Sequence, residues 1–218
     1  MKKKLIILLI ICLSEHYNLH CSNEITLQSY ESKIEECIKT IPPITVEVKK
    51  WLNHALSYIK KEDAILEIGS GIGQDAKYIE SKGYKVQTSE GAKGFVEVLK
   101  KQGFQARVLN ILNDAIDKDY NLIFANRVFL HFTPEELEKI LNKIYQSLKY
   151  QGILAFSVKY GEGSEWFQGE IDAPRYYCYW KPRGLEEILR KTKFELINIA
   201  VNYEGPFKLI YVIAKKAK

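Results

Sequence analysis

The stretch Ile65-Leu66-Glu67-Ile68-Gly69-Ser70-Gly71-Ile72-Gly73-Gln74-Asp75 constrains the fold of this chain more than any other. A short apolar strand runs into glycines at alternate positions, and a helical pattern follows. Glycine reaches positive φ without steric cost and leaves space where a Cβ would obstruct, so the run reads as a tight turn over which a ligand can lie. The first turn of the next helix adds free N–H groups to the same spot.

The rest of the chain alternates as a turn of this kind requires. Short apolar segments at 64–68, 85–89, 106–109, 121–126, 153–158, 195–201 and 208–214 read as strands, with amphipathic helical patterns between most of them. Ahead of the sheet, Leu27, Tyr30, Ile34, Cys37, Ile38 and Ile41 recur at near-helical spacing over 25–41 until Pro42-Pro43 stop the helix. Val48, Trp51, Leu52, Ala55, Leu56 and Ile59 then form the buried stripe of a second helix. The best-marked helix starts at Thr133-Pro134-Glu135-Glu136, where Thr133 caps, Pro134 suits the first turn and Glu136 completes a capping box. Its stripe is Leu137, Ile140, Leu141, Ile144 and Leu148. The expected fold is a single α/β domain over 23–218: a Rossmann-like, seven-stranded, mainly parallel sheet with helices on both faces, preceded by N-terminal helices.

Composition narrows the function. The 218 residues suit one domain, and a 46% hydrophobic, 27% charged chain is an ordinary globular one. The net charge of +5 comes largely from lysines at the two chain ends, with no basic stripe interleaved with aromatics, which argues against a nucleic-acid partner. Cys12, Cys21, Cys37 and Cys178 show neither CxxC spacing nor histidine partners, so no metal site and no disulfide framework is expected. Residues 1–22 form an extension in which Lys2–Lys4 precede the apolar run Leu5–Leu13. That run resembles the start of a signal peptide but falls short of the roughly 20 apolar residues of a membrane span, and no small-x-small cleavage site follows.

The second strand ends at Glu90, about 20 residues past the glycines, where an acid in a doubly wound sheet can accept hydrogen bonds from both hydroxyls of a ribose. An adenosine-containing ligand is therefore expected. Dinucleotide binding asks for a third glycine where Gln74 stands, and the pattern here is Glu67-x-Gly69-x-Gly71-x-Gly73 instead.

On that pattern and the second-strand acid, the chain from about Trp51 onward resembles the class I S-adenosylmethionine-dependent methyltransferases. The resemblance implies S-adenosylmethionine as cofactor, with Gly69, Gly71 and Gly73 beneath its methionine portion, Glu67 orienting the loop or the amino group, and Glu90 holding the ribose. After the third strand many members have an acid for the adenine amino group. This chain has Asn110-Ile111-Leu112, so Asn110 and Ile111 are the candidates there, with Asp114 an alternative. The segment 121–134 resembles the family's fourth-strand motif, which implies Asn126 near the methionine end and His131 near the acceptor, where packing or capping competes with a catalytic role. Past the fifth strand, Lys159 and Trp166 and then Arg175 and Tyr176 lie in an aromatic-rich insertion where small-molecule members build the acceptor wall. The cations suit an anionic acceptor. The implied compartment is the cytoplasm, where the methyl donor is made; export or attachment through 1–22 is the alternative. Two other functions share the sheet: a nicotinamide-dependent oxidoreductase, disfavoured by Gln74 and by the lack of a Tyr-x-x-x-Lys pair, and a non-catalytic nucleotide-binding protein.

Overall fold

In the computed structural model, which describes residues 22–117 and 119–217, three helices precede the sheet: α1 (Ser22–Ser32), α2 (Ile34–Thr40) and α3 (Val46–Leu56). Then follow β1 (Ile65–Ile68), α4 (Gln74–Ser81), β2 (Val86–Glu90), α5 (Lys93–Lys101), β3 (Ala106–Val108) and β4 (Tyr120–Ala125). After β4 come α6 (Pro134–Ser147), β5 (Leu148–Lys159), the short strands β6 (Ser164–Phe167) and β7 (Arg175–Cys178), α7 (Pro182–Lys191), β8 (Phe194–Glu204) and β9 (Phe207–Lys216). The N-terminal extension, with Cys12 and Cys21, lies outside the described residues.

The main sheet has seven strands in the order β3-β2-β1-β4-β5-β9-β8. The first five run parallel, while β9 is antiparallel to β5 and β8 to β9. This is the expected Rossmann-like sheet. Its central strands are buried on both faces, and their side chains alternate between two cores. Leu66, Ile68, Ile123 and Ala125 pack with α6 and α7, whereas Ile65, Leu122 and Phe124 pack with α3 and α4. Order reverses between β1 and β4, the position at which open α/β sheets leave a crevice beyond the carboxyl ends of the strands.

Local chemistry sets the element boundaries. Thr133 caps α6 by accepting from the Glu136 N–H at 3.2 Å, and the Glu136 carboxylate accepts from the Thr133 N–H at 2.8 Å. Removing the hydroxyl with Thr133→Ala is expected to cost about 1 kcal/mol in equilibrium urea unfolding.

Two N-terminal details differ from the expectation. The single helix over 25–41 is broken at Lys33, whose φ of −129° and ψ of 31° are non-helical. The buried face of α1 is also polar, consisting of Ser22, Asn23, Thr26 and Ser29. These side chains dock the helix by hydrogen bonds: Thr26 Oγ1 accepts from the Tyr176 N–H at 3.1 Å, and the Ser29 hydroxyl donates to the Pro174 carbonyl at 2.6 Å. The apolar side of α1 is thereby free to roof the crevice. Within the aromatic insertion, β6 and β7 pair as an antiparallel hairpin with Trp166 opposite Tyr176 and Phe167 opposite Arg175. Among the described residues, no helix is long and apolar enough to cross a membrane.

Candidate cofactor and acceptor site

A cavity of about 430 Å³ fills the crevice, floored by the glycine turn and roofed by Leu27, Tyr30 and Ile41 of the N-terminal helices and the turn after them. That volume is within the ordinary range for small-molecule sites.

The three glycines of the turn all have positive φ, +71°, +52° and +78° at Gly69, Gly71 and Gly73. They do different work. A Cβ on Gly69 would overlap the Val128 side chain, and one on Gly73 would come within 2.8 Å of the Phe104 ring. At Gly71 the nearest atom would be Ile41 Cδ1 at 3.9 Å, so this is the position whose bareness opens the cavity. Gly73 does not line the cavity wall; Gly69 and Gly71 do.

Glu90 ends β2 facing the turn. Its carboxylate accepts from the N–H groups of Gly71 at 2.9 Å, Gly91 at 2.8 Å and Ala92 at 3.4 Å, while burial pushes its pKa above the ordinary carboxylate value. Ser89 points away and donates to the Glu67 carbonyl at 2.7 Å. Glu67 is 2% exposed, and its Oε2 has no hydrogen-bond partner among the described residues. Burial, and then the nearby Asp75 carboxylate, hold its pKa well above the usual range. An orphaned carboxyl oxygen on a cavity wall is costly unless a donor or cation arrives to meet it.

Asn126 is tied down at both ends of its amide. Its NH2 donates to Asp75 at 2.8 Å, and its carbonyl oxygen accepts from the Ser157 hydroxyl at 2.6 Å. Asn110 is similarly committed, donating to Asn23 of α1 at 2.9 Å and accepting from the Leu112 N–H at 3.1 Å. Ile111 is buried on the wall beside it. Asp114 accepts from the Asn110 N–H at 2.8 Å and stands off the cavity wall.

At the other end, His131 carries no free nitrogen. Nδ1 lies 2.8 Å from the Tyr176 carbonyl, which can only accept, so Nδ1 bears the proton and Nε2 accepts from the Tyr30 hydroxyl at 2.9 Å. Burial above all pushes the His131 pKa down to about 3. His131 is thus expected to give no inflection between pH 5 and 8 when its ring resonances are followed by NMR. Because the folded state binds its proton less readily than the unfolded state, its contribution to stability is present above about pH 6.5 and is lost as pH falls toward 3.

Lys159, Arg175 and Tyr177 line this end with Tyr30 and His131. Trp166 and Tyr176 do not. Trp166 is 37% exposed and packs edge-on against Tyr176 on the far side of the hairpin, ring centroids 5.7 Å apart. The two residues that sequence reasoning passed over are Tyr30 and Tyr177. Alternation along β7 was the available signal, since Tyr177 shares the strand face of Arg175 and Tyr176 does not. Among the described residues, no group of three or more His, Cys, Asp or Glu side chains could hold a metal ion.

Known proteins place this arrangement. A family model described as a methyltransferase domain matches residues 44–199. The arsenite methyltransferase of Rattus norvegicus is 32% identical over 117 residues, 44% of this chain, but the chain spans only 31% of that relative's length. An uncharacterised methyltransferase of Oceanobacillus iheyensis is 24% identical over 168 residues, covering 71% of this chain and 78% of the relative. Among solved structures, the 1,6-didemethyltoxoflavin-N1-methyltransferase of Burkholderia thailandensis, with 1,6-didemethyltoxoflavin and S-adenosylhomocysteine bound, has the same fold: TM-score 0.72, 15% identity, 92% of this chain and 91% of that one. Since the family model covers well over half of the chain and includes the glycine turn, Glu90 and the fourth-strand segment, the chain belongs to this methyltransferase-domain family.

Proposed function

We propose that the enzyme takes its methyl group from S-adenosylmethionine and delivers it to a small, negatively charged acceptor in the cavity between the glycine turn and the β6–β7 hairpin. The observation that carries this reading is Glu67: a buried carboxyl with an unpartnered oxygen, on the same wall as Gly71 and Glu90. A ligand with a cationic methionine end and a ribose fits all three. When bound, S-adenosylmethionine supplies a methyl group on a positively charged sulfur, open to in-line displacement by a nucleophile.

The chain's own residues then have distinct tasks. Gly69 and Gly71 let the cofactor lie against backbone, Glu67 meets its amino group, and Glu90 exchanges backbone partners for ribose hydroxyls. Ile111 offers an apolar surface to the adenine, while Asn110 fixes the loop and joins it to α1. Asn126 borders the methionine end. Lys159 and Arg175 receive the acceptor's charge, and His131, bound at both nitrogens, orients Tyr30. The largest lever is positioning: holding acceptor and methyl in near-attack geometry is worth about 7–11 kcal/mol of barrier. This activity suits the cytoplasm, where the methyl donor is made, and residues 23–218 are its working unit.

Isothermal titration of the full chain with S-adenosylmethionine, and separately with NAD, tests the cofactor half. Selective binding of the methyl donor is expected, and Glu90→Ala should weaken it by about 1.5–3 kcal/mol, the contribution of hydrogen bonds to a charged acceptor. Selective binding of NAD would overturn the reading.

A further inference from the structure

The acceptor end of the cavity holds more positive charge than it neutralises. The Lys159 ammonium stands 3.7 Å from the centre of the Tyr177 ring, 5.4 Å from that of Phe167 and 4.9 Å from that of Phe207, and among the described residues it has no carboxylate within ion-pair distance. The Arg175 guanidinium stands over two of the same rings, 5.5 Å from Phe167 and 5.5 Å from Tyr177. Two cations sharing one pair of aromatic faces repel each other.

Arg175 is 5% exposed, ion-paired with Glu170 at 3.4 Å and hydrogen-bonded to Tyr30, while its buried Nε has no hydrogen-bond partner among the described residues. The remaining cation of this end, Arg127, is already paired with Glu204, and His131 is neutral. One positive charge is left over, beside an unpartnered guanidinium N–H, inside a cage of rings. A desolvated surplus of this kind is costly alone and binds a matching anion strongly.

Resting on the methyltransferase reading above, we propose that Lys159 and Arg175 form a carboxylate subsite, and that the carboxylate is a handle the acceptor keeps through the reaction rather than the atom that takes the methyl group. A single surplus charge matches a monoanion, and the ring cage suits a planar, apolar body behind it. The handle role follows from charge balance. A carboxylate oxygen attacking the methyl carbon would form the new C–O bond with its lone pair while the C–S pair returned to sulfur, leaving a neutral ester and nothing for the two cations to hold. They would then favour the ground state over the transition state and slow the step. A charge that persists is held equally well throughout and positions a second, nucleophilic centre of the same molecule. The acceptor class is thus a small organic acid methylated elsewhere than at its acid group.

Benzoate is the probe, with benzamide as its neutral counterpart, each titrated into the full chain with and without saturating S-adenosylhomocysteine. Benzoate is expected to bind with a dissociation constant of about 1 mM or tighter, and benzamide at least tenfold more weakly. Lys159→Gln should weaken benzoate by about tenfold or more, leave S-adenosylhomocysteine affinity within about twofold, and be rescued by Lys159→Arg; a thermal melt checks that each variant is folded. Equal binding of benzoate and benzamide, or benzoate binding indifferent to Lys159→Gln, would remove the subsite. Methyl benzoate detected by mass spectrometry after incubation with S-adenosylmethionine would instead overturn the handle role. Failure of S-adenosylhomocysteine to bind is a separate result that counts against the cofactor reading alone, because benzoate is also measured in its absence.

Discussion

Gly69→Ala is expected to be the most damaging small substitution in the chain, lowering stability by about 2–5 kcal/mol against a total of about 5–15 for a domain. Two independent costs add. At φ +71° an L-residue pays roughly 1–2 kcal/mol for left-handed backbone, and the new methyl group overlaps the stiff, β-branched Val128, an overpacking worth about 1–3 kcal/mol. The costs can be separated in urea unfolding. Val128→Ala in the Gly69→Ala background should recover the overlap portion and leave the backbone strain. If the double variant recovers nothing, the clash is not the source of the loss.

Glu67→Gln is expected to move stability and cofactor affinity in opposite directions. In the protein without ligand, burial and Asp75 raise the pKa of Glu67, so the folded state binds a proton that the unfolded state has already released above about pH 4.5. Stability is therefore full below that pH and falls as pH rises through the raised value. The amide cannot ionise, so the variant should be the more stable protein at pH 8 and should lose the downward slope. Its cofactor affinity should drop by about 2–5 kcal/mol, the usual loss when one partner of a buried charge pair is removed. Wild-type binding of S-adenosylmethionine should also release a proton, visible as a dependence of titration heat on the buffer's ionisation enthalpy. An unchanged affinity in Glu67→Gln would detach this residue from the cofactor.

The opposed signs illustrate a general feature of the site. Among the described residues, Glu67 Oε2 and Arg175 Nε are buried without a hydrogen-bond partner, an arrangement that costs folding free energy and leaves both atoms ready for a ligand.

Adjacent residues were enough to specify the sheet, the capped helix α6 and the glycine turn. Strand and helix periods repeat within a few residues, a capping box spans four, and the demand for positive φ at Gly69, Gly71 and Gly73 belongs to each residue itself. Glu90 was legible for the same reason, since a strand of known direction fixes where its last side chain emerges.

The tertiary structure decided the rest. Helix α1 was misread because it docks through Asn23, Thr26 and Ser29 onto backbone and side-chain groups 87 to 150 residues away, leaving its apolar residues to face a cavity. Trp166 and Tyr176 were preferred to Tyr177 because the hairpin that sorts their faces is a pairing between strands. The tautomer of His131 depends on Tyr176 and Tyr30, 45 and 101 positions distant, and its neutrality on burial. Local backbone geometry is a property of neighbours in sequence, whereas protonation, burial and unpaired charge belong to neighbours in space, and only the closed fold brings those together.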